Sequence, residues 1–277
     1  MEWKDPMGLV EEYRFYMLGT LFLLTLADWF AEIILKHARI IQETISNLVI
    51  FIVGQSLNRF VANGFQLAGL IYLERFQVYH FKSGWLTFLI CIIGVDLFYY
   101  WRHRIEHAVN LLWAEHSVHH SSNEFNFSTS LRAPWVLPFI GWIAWAPMVL
   151  IGFDGHLVFS AWLVNLFYQF SVHNQLIGKM NPVVEFVFNT PSHHRVHHGT
   201  NETYLDKNFG GIFIVWDRLF GTFVPETHKA VYGSLPPVNT VNPFWINLIP
   251  WNRLLSGFIA QSSFLKKLKF LFGSPQA

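Results

Sequence analysis

Long apolar stretches separated by short polar joints run through most of this chain, and their lengths suit helices better than strands. Phe15 to Leu35 is 21 residues broken only by Asp28 and Glu32, a rise of about 30 Å as a helix, enough to cross a bilayer core. A second span is predicted near Ile45 to Leu57, followed by a shorter helix, because Asn58, Arg59, Asn63 and Gln66 divide the apolar run from Ile40 to Leu73. Gly84 to Trp101 reads as an uninterrupted span with one ionisable residue, Asp96. Acids at such depth are costly and normally functional.

Two further apolar stretches, Pro134 to Gly152 and Leu157 to Val172, are joined only by Phe153, Asp154, Gly155 and His156. That pattern predicts a helical hairpin with a tight turn on the far side, crossing twice or dipping in and returning. Either path brings His173 back to the side from which the chain departed and leaves His156 at the opposite end. Trp251 to Phe272 mixes leucine and phenylalanine with Lys266, Lys267 and Lys269, the pattern of a helix lying on an anionic membrane surface.

Composition strengthens this picture. The chain is 52% hydrophobic and 13% charged, against about 25% charged in soluble domains. An all-α polytopic membrane bundle follows, with about four transmembrane helices plus interfacial helices, in a single domain over residues 1–277 whose core spans 84–225. A net charge of +1 gives no sign of nucleic-acid binding. Met1 to Val10 lacks the apolar core and cleavage site of a signal peptide. Arg102, Arg104, Arg132, Lys179, Arg195, Lys207, Arg218 and Lys229 lie on the side of the histidine-rich segments, while the far-side turn has no Lys or Arg. The positive-inside rule therefore places that side in the cytoplasm, of a bacterial inner membrane or of the endoplasmic reticulum.

Histidine carries the chemistry. Five fall in the eighteen positions from His103 to His120. His103 and His107 are four apart; His116, His119 and His120 stand at i, i+3, i+4, and His194, His197 and His198 repeat those intervals. On a helix each set shares a face. Imidazoles gathered without a metal would bury donors and acceptors that lack partners. The number is too large for one ion, since a catalytic metal typically takes three protein ligands, so a histidine-rich di-metal cap is predicted. Imidazole suits iron, zinc, copper or nickel; redox iron is favoured, because hydrolysis on zinc needs neither so many neutral ligands nor a place at the end of membrane helices. The alternatives are a zinc-dependent membrane lipid hydrolase and a divalent-metal carrier, which would string its ligands along the spans. The single cysteine, Cys91, excludes a thiolate site and an internal disulfide.

The motifs HRIEH, HSVHH and HRVHH, with WAEHSVHHSSNEFNFSTSLR, NTPSHHRVHHGTN and DKNFGGIFIVWDRLFGTF, resemble the membrane-bound fatty acid hydroxylase and sterol desaturase superfamily, most of all its alkylglycerol monooxygenase branch. The resemblance runs from about Asp96 to Phe223. It implies a non-haem centre of two Fe ions that activates O2 and inserts one oxygen into a lipid C–H bond, with zinc able to substitute in a preparation. It places ligands at His103, His107, His116, His119, His120, His194, His197 and His198, and the family's habit of extra ligands adds His173 and His193. Asp96 is the first candidate to orient an imidazole from behind, with Glu106, Glu115, Asp206 and Asn208 after it; His37, His80 and His228 fall outside the pattern. Two features depart from the branch: Ala108 stands where an acidic residue is frequent, and LRAPW replaces an Arg-Gln pair. No dinucleotide, P-loop or haem-attachment motif is present, so electrons must come from an external donor, a tetrahydropterin or a redox protein. Hydroxylation, ether cleavage and desaturation share the same first step.

Overall fold

The computed structural model describes residues 38–57 and 63–275, with scattered positions between 16 and 34. The expected span from Phe15 to Leu35 and His37 therefore lie mainly outside the described residues. Among the described residues the structure is helical, with two isolated β-bridges, Phe188 to Phe213 and Gly199 to Tyr232. The longer helices are α1 (Ala38–Leu57), α2 (Asn63–Leu73), α3 (Trp85–Ala108), α4 (Asn110–His120), α5 (Gly155–Val172), α6 (Pro191–His197), α7 (Pro243–Ala260) and α8 (Phe264–Phe272).

Among the described residues α3 alone is long and apolar enough to cross a membrane. Its 24 residues rise about 36 Å. Leu86, Leu89, Ile90 and Ile93 are exposed on it, while Phe88, Cys91, Val95, Tyr99, His103 and His107 form a buried stripe. The stripe has helical spacing throughout and changes from apolar to imidazole without leaving its face. Extended backbone at Val109, φ −115° and ψ 118°, then ends α3 and starts α4.

The core lies between α2, α3, α5 and the segment before α5, with Leu70, Phe88, Val95, Trp145, Met148, Leu157 and Ala161 in contact. The predicted hairpin exists, but its first leg is not one helix. It is a single turn at Leu137–Ile140, a 3-10 stretch at Gly141–Trp145 and a short helix at Ala146–Ile151. Pro147, which has no N–H to give, stands at the break. At the far turn Gly152 adopts φ 128°, a conformation that favours glycine, and Asp154 caps α5 by accepting from the N–H groups of His156 and Leu157.

Two other expectations change. The stretch Ile45 to Leu57 is the later part of α1, which buries Glu43, Thr44, Ser46 and Asn47 beside Ile50. Arg132, fully buried, pairs with Glu43 and donates to Asn47 Oδ1 at 2.6 Å and Ser121 Oγ at 3.0 Å. The C-terminal stretch is two helices, α7 and α8, rather than one, because the Ser263 hydroxyl accepts from Lys266 N–H and starts a new helix.

Candidate metal centre

The three histidine boxes converge. The ends of α3 and α4, the later part of α6 and the return of α5 meet at one point, and nine imidazoles gather there in two groups. One consists of His103, His107, His116, His120 and His197, the other of His119, His173, His194 and His198; within each, the ligand nitrogens all lie within 4.8 Å of one another. The groups touch, with the His120 and His198 rings stacked at 4.3 Å. Each HxxHH box is divided between them, since residues one position apart on a helix point about 100° away from each other.

Hydrogen bonds on the outer side of the rings fix which nitrogen faces inward. His103 Nδ1 lies 2.9 Å from the Phe209 carbonyl, His173 Nδ1 2.7 Å from the Gln169 carbonyl and His197 Nδ1 2.9 Å from the Lys207 carbonyl. A carbonyl only accepts, so each Nδ1 holds the proton and each Nε2 presents a lone pair to the interior. His116 Nδ1 faces Glu106 Oε2, and His107 Nδ1 faces Asp206 Oδ1, both at 3.2 Å. His119 is held by the backbone of Arg132.

These tautomers bring like against like. His103 Nε2 is 3.0 Å from His116 Nε2, and His173 Nε2 is 3.2 Å from His119 Nε2. His107, His197 and His198 each bury an Nε2 atom without a hydrogen-bond partner. Lone pairs converging in a buried space need a cation. Burial pushes His116, His120, His194, His197 and His198 well below the ordinary histidine value and His119 down to about 4. They are thus neutral, as metal ligands must be. Residues and geometry fit two divalent ions.

Two of the predicted site residues take other roles. His193 belongs to neither group: its Nε2 lies 2.9 Å from Glu185 Oε2, and its Nδ1 accepts from Thr190 N–H in the cap of α6. One position ahead of His194, it is turned onto the opposite face. Asp96 touches no imidazole. Its carboxylate accepts from Asn165 Nδ2 (2.5 Å), Ile212 N–H (2.6 Å), Phe213 N–H (3.0 Å) and Trp216 Nε1 (2.8 Å). It clamps the segment 206–213 against α3 and α5.

In that segment only Asp206 and Asn208 stand out from the sequence; the backbone carbonyls of Lys207 and Phe209 do not. Asp206, Lys207 and Phe209 supply the outer partners of His107, His197 and His103 in turn. Asp206 and Asn208 have φ of 55° and 57°, tolerated best by these two residue types. Asp217 holds the Phe209 and Gly210 N–H groups, both at 2.7 Å. A Cβ on Gly211 would stand 2.6 Å from Asp96 Oδ1, so only glycine fits. The signal was present in DKNFGG, where turn formers precede two glycines. Of the other candidates, Glu106 and Asp206 each lie against an imidazole nitrogen. Glu115 instead accepts from Val136 N–H and Trp251 Nε1, and Asn208 ties the segment to Val224 and the His193 carbonyl. His80, His156 and His228 are exposed and belong to neither group.

A helical protein with nine converging imidazoles drawn from HxxxH and two HxxHH boxes belongs to the class of histidine-box proteins. Residues 88–222 match the fatty acid hydroxylase family model. Alkylglycerol monooxygenase of Xenopus tropicalis is 43% identical over 70% of this chain and 42% of its own length. The human alkylglycerol monooxygenase is 39% identical over 76% of this chain and 47% of its own. Ornithine lipid hydroxylase OlsE of Rhizobium tropici is 27% identical over 45% of this chain and 38% of its own. The chain thus spans less than half the length of these curated relatives. No solved structure matches it.

Proposed function

We propose that the chain is a membrane-bound, O2-dependent lipid monooxygenase that holds two iron ions in the five- and four-histidine groups. The observation that carries the reading is the set of inward lone pairs on rings whose outer nitrogens are already committed to carbonyls. Two irons, when bound, would supply O2 activation. In the overall reaction one oxygen atom enters a lipid C–H bond and the other leaves as water, with two electrons and two protons from an external donor such as a tetrahydropterin or a redox protein.

The residues of the chain hold the ligand set in place and keep water away from it. The carboxylates of Glu106 and Asp206 make two imidazoles of the five-histidine group better donors. Phe125, Phe209 and Trp113 pack against the rings; such apolar walls exclude water and lower the local dielectric. The names of the relatives favour an ether lipid of the alkylglycerol kind. Hydroxylation at a carbon bearing an ether oxygen gives a hemiacetal, which separates into an aldehyde and an alcohol. The position of the site at the end of α3, with Arg102, Arg104 and Arg195 nearby in sequence, favours the cytoplasmic face.

The test joins metal analysis to oxygen uptake. Purified chain with two irons, consuming O2 only when an alkylglycerol and a reductant are both present, supports the reading. Zinc as the native metal with turnover in the absence of oxygen would replace it with a lipid hydrolase.

A further inference from the structure

The last fifty-one residues differ in charge from the rest. From Thr227 to Ala277 there is no Asp or Glu, and Lys229, Arg253, Lys266, Lys267 and Lys269 make the stretch +5, leaving residues 1–226 at −4. The same stretch carries an apolar face that is left uncovered among the described residues. On α7, Phe244, Leu248, Leu255 and Ile259 recur at helical spacing and are exposed, and on α8 so are Phe264, Leu265 and Phe272, Leu265 to 77%. Apolar residues exposed beside lysines in this manner suit the boundary of an anionic bilayer.

The position agrees. Gly273 at the end of α8 accepts from Asn110 N–H at 2.9 Å, and the Phe270 carbonyl accepts from Asn110 Nδ2 at 3.1 Å. Asn110 opens α4 two residues after α3 ends, so α8 sits where the candidate span found among the described residues finishes. From there α7 and α8 roof a cavity of about 220 Å³ lined by Trp113, Ala114, Ser117, Pro250, Leu254 and Phe270. Trp113 lines it, and the same indole lies 4.9 Å from the His107 ring and 5.5 Å from that of His120.

We propose that α7 and α8 dock together on an anionic leaflet, and that the cavity they roof is the port by which a lipid from that leaflet approaches the histidine cluster. The docking stands on charge and exposure alone; the port rests on the lipid monooxygenase reading. The port selects a molecule with an apolar chain and a polar head, the chain passing Ala114 and Leu254 while Arg253 stands at the rim.

Docking is tested on the full chain carrying Leu265→Cys labelled with a polarity-sensitive fluorophore; Cys91 is buried and stays unlabelled. In nanodiscs of phosphatidylcholine mixed with phosphatidylglycerol the label should shift to the blue and resist iodide. In phosphatidylcholine alone, or with Lys266, Lys267 and Lys269 all changed to Glu, it should remain quenchable. A label quenchable in both lipids, or equally protected in both, overturns the docking. The port is tested by filling the cavity with Leu254→Trp and, separately, Ala114→Trp, scored only in protein that retains both metals. Lipid kcat/KM should fall about tenfold or more, and unchanged turnover in a metal-replete variant overturns the port. If the unaltered chain consumes no O2 with any lipid, the monooxygenase reading fails and the port with it, while the fluorescence still decides the docking.

Discussion

The five-histidine and four-histidine groups are assembled from the same boxes, yet what stands behind their rings differs. Behind the first are two carboxylates, Glu106 and Asp206, and two carbonyls, from Lys207 and Phe209. Behind the second are the Gln169 carbonyl and the Arg132 backbone, with no carboxylate on His119, His173 or His194 and no partner for His194 Nδ1. The buried Arg132 guanidinium further lowers the proton affinity of His119. A carboxylate behind an imidazole raises its basicity toward a metal. Equal residue types therefore make unequal sites: the five-histidine group should hold its ion more tightly, and the other should release first.

Stripping the metal tests this most severely. Chelation should lower thermal stability by about 10 °C, the order expected when a ligand present at about 1,000 times its Kd is withdrawn, and the loss should come in two steps with the four-histidine ion leaving first. Simultaneous loss of both ions in a titration would show the groups to be equivalent. Next in size, His194→Ala and His197→Ala should each cut metal content from two ions to one and activity by more than about a hundredfold, since ligands matter more than the partners behind them. Elemental analysis per chain reads this directly, and loss of both ions from either variant would break the division into two groups.

Glu106→Gln should weaken the five-histidine ion by about 10–100-fold while leaving the other untouched, measured by competition with a chromophoric chelator. An equal effect on both ions would mean that Glu106 acts on the fold instead. Asp96→Asn places a donor where four N–H donors point, so unfolding should become easier by about 2 kcal/mol, with both ions still bound at saturating metal. His193→Gln should be mildest, about 1 kcal/mol of stability with full metal content. A missing ion in that variant would restore His193 to the ligand set.

Much of the architecture could be read directly. The apolar run at Gly84 to Trp101 predicts α3, and i, i+4 spacing carries His103 and His107 onto its end. The four-residue joint between two apolar stretches predicts the hairpin that returns His173 to the cluster. Local chemistry was harder to see. Asp96 looked like a metal partner because a lone acid in an apolar helix is costly, but the cost is met by N–H donors from residues 212–216, more than a hundred positions away. His193 looked like a ligand because it adjoins a box, and only the cap of α6 shows which way it turns. The Glu43 and Arg132 pair joins residues 89 positions apart, a contact that no local pattern marks.

By itself the sequence determined that three histidine faces exist and that apolar helices carry them to a common end, because helical period and span length are local properties. Tertiary structure alone decided how the nine rings divide between two groups, which acids stand behind them, and that the segment 206–213 is their support. Those outcomes depend on the direction of side chains from four separate helices and on hydrogen bonds closed across the whole fold, which no local pattern encodes.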